Sequence, residues 1–365
     1  MSMTYEAAQA RPNASREPDR SQLHVLSEAP FNAEARLTNQ AGTITPNTAF
    51  YVRSHLLDQP RMEAAGWRLR VEGEVQRALA LSYEELRALP GLSLVVTLEC
   101  AGNGRAYMNG QPQGELWHYG AVGTAEWTGV PLGVVLGRAG LEPSVQEIVI
   151  EGADHGYHPE SKQERIYARS LPRHIAVHPD TLLAYAMNGE PLPFAHGFPL
   201  RLIVPGWYGM AAVKWVTRLH ASALPFQGYF QTEQYVLIEK ASAEKRPLTR
   251  IRPRSLILSP TEGERLARGW QWLKGVAWSG AARIKRVEVS LDGGVTWQAA
   301  EWSSRALPYA WRGWQLPWEA TAPGPVTLSS RATDAAGNTQ PLEAEWNKLG
   351  YANNAIQQVH VTVAD

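Results

Sequence analysis

The sequence predicts an α+β domain followed by an all-β sandwich of the immunoglobulin-like kind, and three observations carry this prediction. Residues from about 37 to 237 mix short-helix patterns with apolar runs that are typical of strands. After about residue 254 the chain contains only short alternating runs separated by closely spaced turn signals. Nine of the fourteen tryptophans lie in this second part, where broad side chains suit the inner faces of two packed sheets.

These patterns divide the chain into four parts. Residues 1–36 are polar and are predicted to form a partly disordered tail, residues 37–245 the first domain, and residues 256–365 the sandwich. The Pro/Arg-rich residues 246–255 are predicted to link the two domains. Because 35 basic residues balance 35 acidic residues, we expect neither nucleic acid nor an anionic membrane as a partner.

Local signals place the elements of the first domain in order. Residues 67–75 alternate apolar and polar side chains, as a half-buried strand does. Ser82 and Glu85 form a capping-box pattern that predicts a short helix ending before Pro90, and residues 92–100 then predict a buried strand. Further predicted elements are a helix over 130–140, strands over 147–154, 198–206 and 213–221, and a hairpin over 287–300 with Asp-Gly-Gly at its turn.

Cys100 is the only cysteine of the chain and lies where a predicted strand breaks into the loop AGNG. A lone cysteine forms neither an internal disulfide nor a cysteine-rich zinc site. Three interpretations are open: a buried structural thiol, a nucleophile with a histidine base, or one thiolate ligand to a metal held mainly by a cofactor. Arg105 places a permanent cation near the thiol, which favours a thiolate and which a structural cysteine does not need.

The motif CAGNGR after a strand resembles the molybdenum-binding loop of the sulfite oxidase family. The similarity continues in the family's order through TPNTAFYVRSHL, GELWHYGAVGTAEWTGVPL, EGAD, LLAYAMNGEPLPFAHGFPLRLIVPG and AAVKW. In the second part, RATDAAGNTQP and the closing VHV resemble the family's dimerisation domain. The resemblance implies a molybdopterin-binding domain of the sulfite oxidase type and a homodimer that forms through the sandwich.

The resemblance also implies one molybdenum–molybdopterin cofactor per chain, with Cys100 as the protein ligand to the metal. Soft thiolate suits such a metal. A single cysteine leaves no C-x-x-C-H motif, so no haem is expected. The positions that match pterin-contacting or phosphate-contacting residues of the family are Tyr51, Arg53, Ser54, His55, Asp154, His196, Arg201, Ala212 and Lys214.

By the same resemblance, Arg53 and Arg105 form a cationic pocket for a small oxyanion such as sulfite, because guanidinium groups match such oxygens. Trp117 matches the tryptophan of the pocket wall, although an ordinary core position also suits it. Tyr235 matches the active-site tyrosine, with the nearby Tyr229 as its rival.

Three positions depart from the pattern of animal and plant sulfite oxidases. Gly104 stands where those enzymes tend to carry a second arginine in the loop, and Met210 replaces a usual basic residue. Gln358 stands where they have an arginine that reaches the substrate pocket. We therefore expect a pocket that is larger and less positive than in those relatives.

The resemblance implies oxidation of sulfite to sulfate by oxygen-atom transfer, with the electrons passed to an external acceptor such as a cytochrome. Two alternatives stay open: a reductase of the same fold that acts on nitrate or on an S- or N-oxide, and a cofactor-free binding module. The N-terminus has neither a secretory signal nor a twin-arginine motif, which predicts a cytoplasmic protein, or a periplasmic one if an export signal has been removed.

Overall fold

A computed structural model describes residues 16–57, 59–110, 112–238 and 244–365. Within these residues the α-helices are short, with at most eight residues each. None of them combines the length and the hydropathy that crossing a bilayer requires. The helices are α1 (Tyr83–Arg87), α2 (Leu132–Ala139), α3 (Arg173–Ala176) and α4 (Tyr229–Thr232).

Strands provide most of the regular structure. Those that precede residue 250 are β1 (Leu23–Glu28), β2 (Phe31–Ala35), β3 (Arg68–Gly73), β4 (Leu79–Ser82), β5 (Leu92–Glu99), β6 (Val122–Pro131), β7 (Glu147–His158), β8 (Gln163–Pro172), β9 (Leu182–Met187), β10 (Glu190–Pro191), β11 (Arg201–Ile203), β12 (Val216–Ser222), β13 (Val236–Ile238) and β14 (Lys245–Pro247). Those that follow it are β15 (Arg254–Ser259), β16 (Arg265–Leu266), β17 (Gly269–Trp278), β18 (Ile284–Ser290), β19 (Gln298–Ala299), β20 (Glu301–Trp302), β21 (Arg312–Ala320), β22 (Gly324–Asp334) and β23 (Gln358–Val363).

Two five-stranded sheets form the centre of the first region. One has the order β10-β9-β6-β5, with β11 also paired to β9, and the other has the order β4-β3-β12-β7-β8. Neighbouring strands are antiparallel except β3 and β12, which are parallel. Buried side chains that include Leu69, Val130, Ile150 and Leu219 pack into one core. Strand β5 therefore ends inside the protein and places Cys100 in a buried position.

Local sequence signals are confirmed where they are strongest. Ser82 and Glu85 form the capping box, with Ser82 Oγ accepting from the Glu85 amide at 3.1 Å and the Glu85 carboxylate accepting from the Ser82 amide at 2.8 Å. The strand predicted up to Cys100 is β5, and the helix predicted over 130–140 is α2. The hairpin predicted over 287–300 pairs β18 with β19.

Strand limits differ from the prediction in three places. Strand β7 continues to His158 instead of ending at 154. Strand β11 has only three residues of the predicted 198–206, because Pro199 and Pro205 lack the amide hydrogens that a ladder needs. Strand β12 begins after Trp215, whose positive φ of 52° is incompatible with an extended ladder.

The second region is a sandwich of two sheets with the orders β15-β17-β21-β20 and β16-β23-β22-β18-β19. Neighbours are antiparallel except β16 and β23. Leu273 and Trp314 from one sheet and Val289 and Leu328 from the other belong to the same buried core. The all-β character predicted for this region is confirmed, and its immunoglobulin-like topology stays a prediction.

The segment predicted as a tail is partly ordered. Residues 1–15 lie outside the described residues, but β1 and β2 pair as a hairpin over 23–35. Its second strand is buried and pairs with the next segment, because Ala33 and Val52 exchange both backbone hydrogen bonds. The predicted linker also differs, since Arg254 is completely buried and begins β15.

Candidate active site

Cys100 begins a tight turn directly after β5. Its amide donates to Ala121 O at 2.8 Å, and its carbonyl accepts from the Asn103 amide at 2.9 Å. Gly104 has φ +82°, and a Cβ on it would lie 2.7 Å from the guanidinium of Arg254. A side chain at 104 would therefore be strained by the positive φ and would have to displace the Arg254 guanidinium.

Two cavities meet at Cys100. We name them the His196 cavity and the Trp117 cavity, after a residue that lines only one of them. The wall between them is formed by Arg53, Cys100 and Tyr235, which line both.

The residues predicted to bind the cofactor converge on the His196 cavity. All of them except Ser54 line it: Tyr51, Arg53, His55, Asp154, His196, Arg201, Ala212 and Lys214. Ser54 contacts the lining from behind, since Lys214 Nζ donates to its Oγ at 3.4 Å and to Ala195 O at 2.9 Å. Met210, which departs from the family pattern, lines this same cavity.

Several buried polar atoms of the His196 cavity have no hydrogen-bond partner among the residues that the structure describes. They are Oδ1 of Asp154, Nε2 of His196 and Nε of Arg201. Burial raises the pKa of the Asp154 carboxyl, although the nearby Lys214 ammonium opposes the shift. Burial also lowers the pKa of His196 well below its usual range, so its imidazole is neutral. Because unpaired buried polar groups destabilise a protein, this lining fits a polar ligand that completes the hydrogen bonds.

Tyr235 occupies the shared wall. Its hydroxyl hydrogen-bonds to Nε2 of His55, and its ring stacks on Tyr351 with centroids 5.1 Å apart. Burial raises the pKa of Tyr235, so the phenol keeps its proton. Tyr229 instead lies against Arg165, 4.5 Å from the guanidinium carbon to the ring centroid, and lines only the Trp117 cavity. The geometry therefore favours Tyr235 over its rival.

Arg105 and Trp117 line the Trp117 cavity, as predicted for a substrate pocket. The guanidinium of Arg105 is held in place, since Nε donates to Gly350 O at 3.2 Å and Nη1 to Glu115 O at 2.9 Å. The indole N–H of the fully buried Trp117 has no partner. Arg53 and Arg105 therefore bring two permanent cations to one cavity beside Cys100.

Carboxylates also line the Trp117 cavity, a feature that sequence reasoning missed. Glu115, Glu160 and Glu233 belong to the lining, and Glu160 accepts from Gln234 Nε2 at 2.8 Å. Of these glutamates, Glu233 is paired with Lys245. Glu115 Oε1 accepts from Asn32 Nδ2 at 3.1 Å, so Glu115 and Glu160 both accept from neutral amides.

Gln358, which matches a pocket arginine of the relatives, is exposed on β23 and does not line the Trp117 cavity. The second region reaches that cavity through Leu349 and Tyr351 instead. A register argument along β23 misses these residues because they precede the strand in an irregular segment.

Two further residues position the site although the sequence placed them in a tail and a linker. Asn32 Oδ1 accepts from the Ser54 amide at 2.8 Å and from Arg53 Nη1 at 3.2 Å. Arg254 Nη1 forms a buried ion pair with Glu99 at 2.8 Å, next to Cys100 in the chain. The same carboxylate accepts from Trp278 Nε1 at 2.9 Å, so the second region fixes the end of β5.

Comparison with known proteins agrees with this site. Residues 56–230 match the model of the oxidoreductase molybdopterin binding domain, and residues 246–364 match the Mo-co oxidoreductase dimerisation domain. The mitochondrial sulfite oxidase of Homo sapiens is 37% identical over 94% of this chain, which spans 66% of that relative's length. The NAD(P)H nitrate reductase of Hordeum vulgare is 34% identical over 93% of this chain and 42% of its own length.

A solved structure extends the likeness to the whole described fold. The sulfane dehydrogenase SoxCD from Paracoccus pantotrophus superimposes with a TM-score of 0.83 and 31% sequence identity. The match covers 98% of this chain and 92% of that one. Two family models, relatives that are 34% and 37% identical over the aligned residues, and a common fold lead to one conclusion. The chain belongs to the sulfite oxidase family of molybdopterin-dependent oxidoreductases.

Proposed function

We propose that this chain is a molybdenum-dependent enzyme that oxidises sulfite to sulfate and passes the electrons to an external acceptor. The observation that carries the proposal is the set of unpaired buried polar atoms in the His196 cavity. This cavity adjoins the Trp117 cavity, which is lined by two arginines. A cofactor-free binding module would leave those atoms without partners, which argues against that alternative.

The donors of the His196 cavity fit a molybdopterin. Arg201 and Lys214 suit a phosphate, Asp154 suits the N–H groups of a pterin ring, and Cys100 offers one soft thiolate to the metal. When bound, the cofactor supplies the oxygen-atom transfer and the two-electron chemistry. The chain's own contribution is to bind and orient the cofactor and the substrate on either side of the wall.

Arg53 and Arg105 would bind the substrate anion in the Trp117 cavity. Arg105 is already held by two carbonyl oxygens, so it need not reorganise when the anion arrives. The unpaired indole N–H of Trp117 is a further hydrogen-bond donor to an oxyanion. Tyr235 holds a proton at its hydroxyl, and neutral His55 extends this hydrogen bond away from the cavity.

Glu160, whose carboxylate accepts from the neutral Gln234, lowers the positive charge of the Trp117 cavity and favours a second candidate, a less charged sulfur compound. The structural match to a sulfane dehydrogenase makes a sulfane sulfur the natural choice. Nitrate remains the alternative that the nitrate reductase relatives bring. In each case residues 37–245 would hold the cofactor and residues 256–365 would join two copies, as the description of the family model for 246–364 supports.

Metal analysis and parallel substrate assays test this proposal. We expect one molybdenum per chain and reduction of ferricyanide or cytochrome c with sulfite as the preferred donor, compared with an organic persulfide, whose sulfane sulfur carries at most one negative charge. Protein without molybdenum would contradict the enzyme assignment. Faster turnover with the persulfide, or with nitrate and a reduced dye, would contradict sulfite as the substrate.

Glu160→Gln and Glu233→Gln probe the role of charge in the Trp117 cavity. If sulfite is the substrate, removing either carboxylate should lower its KM about two- to fivefold, with a smaller gain at high salt because part of the repulsion is screened. An unchanged or raised KM for sulfite would favour the less charged candidate.

A further inference from the structure

A cluster of two histidines and one glutamate lies outside both cavities, beside the N-terminal hairpin. His24 of β1 and Glu34 of β2 are direct cross-strand partners, and His118 approaches from the segment after Trp117. His24 Nδ1 lies 3.1 Å and His118 Nδ1 lies 2.7 Å from the same atom, Oε1 of Glu34. Side chains from three segments therefore converge on one point.

The burial of the cluster suits a site that is open on one side. The side chain of Glu34 is only 4% exposed, whereas that of His24 is 55% exposed and that of His118 is 43% exposed. The carboxylate is also fixed from behind, because Oε2 accepts from the Gly120 amide at 3.2 Å. Hydrogen bonds of this kind orient a carboxylate that serves as a metal ligand.

We propose that this cluster binds a divalent transition-metal ion, with Zn²⁺ as the ion that its donors fit best. Two imidazoles and one carboxylate are a donor set that zinc uses, with the fourth position left to water. The three ligand atoms lie within 4.8 Å of one another. Tetrahedral zinc bonds of about 2.0–2.2 Å separate ligand atoms by about 3.3–3.6 Å, so the imidazole nitrogens, 3.1 and 2.7 Å from Glu34 Oε1, have to move away from that oxygen by less than about 1 Å.

The ion would connect two segments that support the active site, although the ion itself would not contact either cavity. The carbonyl of His118 accepts from the Gly104 amide at 2.6 Å, within the loop that leads to Arg105. Two residues before Glu34, Asn32 holds the Arg53 segment. A metal bridge between the hairpin and His118 would therefore clamp the segments on both sides of the Trp117 cavity. This inference does not depend on the identity of the substrate.

Calorimetric titration of the purified full-length chain with ZnCl₂ tests the site. We expect saturable binding of one Zn²⁺ per chain, weakened at least about tenfold by His24→Ala or by His118→Ala, since each removes a ligand. His24→Ala is the primary variant because its side chain is half-exposed and its loss leaves the core intact. Zn²⁺ should also raise the Tm of the unmodified chain and not that of His24→Ala.

His360→Ala is the matched control. His360 Nδ1 lies 3.1 Å from Glu262 Oε1, the same type of contact, but this exposed pair belongs to no group of three ligands among the described residues. Its loss should leave Zn²⁺ affinity unchanged. The proposal is overturned if the unmodified chain shows no saturable binding, if His24→Ala binds as tightly, or if His360→Ala weakens binding equally.

Discussion

The two cavities that meet at Cys100 differ in how the protein satisfies their polar groups. In the His196 cavity, Asp154, His196 and Arg201 each keep a buried polar atom without a partner. In the Trp117 cavity, Arg105 is already bound to backbone oxygens, and among the described residues the Trp117 indole N–H and Gln234 Oε1 lack a partner. The first cavity therefore suits a resident ligand that would complete the hydrogen bonds of charged and titratable groups, whereas the guanidinium of Arg105 in the second is held in place whether or not a ligand is bound. The cofactor assignment thus rests on unmet hydrogen bonds and the substrate assignment on charge.

Replacing Cys100 tests the wall that both cavities share. Cys100→Ser should abolish sulfite-dependent acceptor reduction, because a hard oxygen replaces the soft thiolate that the metal requires. Steady-state assays, molybdenum content and circular dichroism measure activity, loading and fold in the same preparation. Undiminished turnover in this variant would exclude Cys100 as the ligand.

Replacing Arg254 tests the support behind that wall. Arg254→Met leaves Glu99 buried without its cation, which should lower the free energy of unfolding by about 3–5 kcal/mol in urea titrations. Arg252→Met is the matched control, because its partner Glu345 is largely exposed and such pairs contribute only about 0–1 kcal/mol. Equal losses in the two variants would contradict a special role for the buried pair.

Replacing Arg53 and Arg105 tests most directly whether the two cavities have different roles. Each change to Gln removes a charge-assisted hydrogen bond of about 1.5–3 kcal/mol, so kcat/KM for sulfite should fall roughly ten- to a hundredfold. Because Arg53 lines both cavities, Arg53→Gln should also reduce molybdenum content, whereas Arg105→Gln should not. Loss of molybdenum from Arg105→Gln would contradict the proposal that the His196 cavity holds the cofactor and the Trp117 cavity holds the substrate.

The pH dependence of stability gives the smallest expected effect. The pKa of His196 lies well below its usual value of 6.5 because of burial, so the unfolded chain binds a proton that the folded one does not. In cofactor-free protein, this difference should lower the free energy of unfolding by about 1.4 kcal/mol for each pH unit below about 6.5. His196→Gln should reduce that slope in urea titrations, and an unchanged slope in this variant would contradict the assignment to His196.

Local signals predicted the elements that carry Cys100. Two signals depend only on residues that are close in the chain: the capping box of Ser82 and Glu85, and the apolar run before Cys100. The structure confirms both. Asn32 and Arg254 could not be found in this way. Each lies in a stretch with tail-like or linker-like composition, and its role depends on a partner that is distant in the chain, Arg53 or Glu99.

The positions that depart from the family pattern also show that contacts between distant parts of the chain cannot be read from one sequence. Gly104 predicts a less positive pocket, and the structure adds that its positive φ and the neighbouring Arg254 guanidinium favour glycine at this position. Gln358 matches a pocket arginine of the relatives, but it is exposed on β23 and does not line the Trp117 cavity. A single sequence identifies the residue type at a position, whereas the direction of its side chain depends on packing between the two regions.

Leu349 and Tyr351 line the Trp117 cavity but not the His196 cavity. Substrate selection and cofactor binding could therefore change independently during evolution. The His196 cavity is lined only by residues before 236, whereas part of the Trp117 cavity is supplied more than a hundred residues later in the chain. Substitutions or recombination in the segment around 349–351 can therefore alter which molecule is accepted while the inherited cofactor chamber stays intact. A mutant library confined to that segment is accordingly the most economical route to a new substrate range on this scaffold.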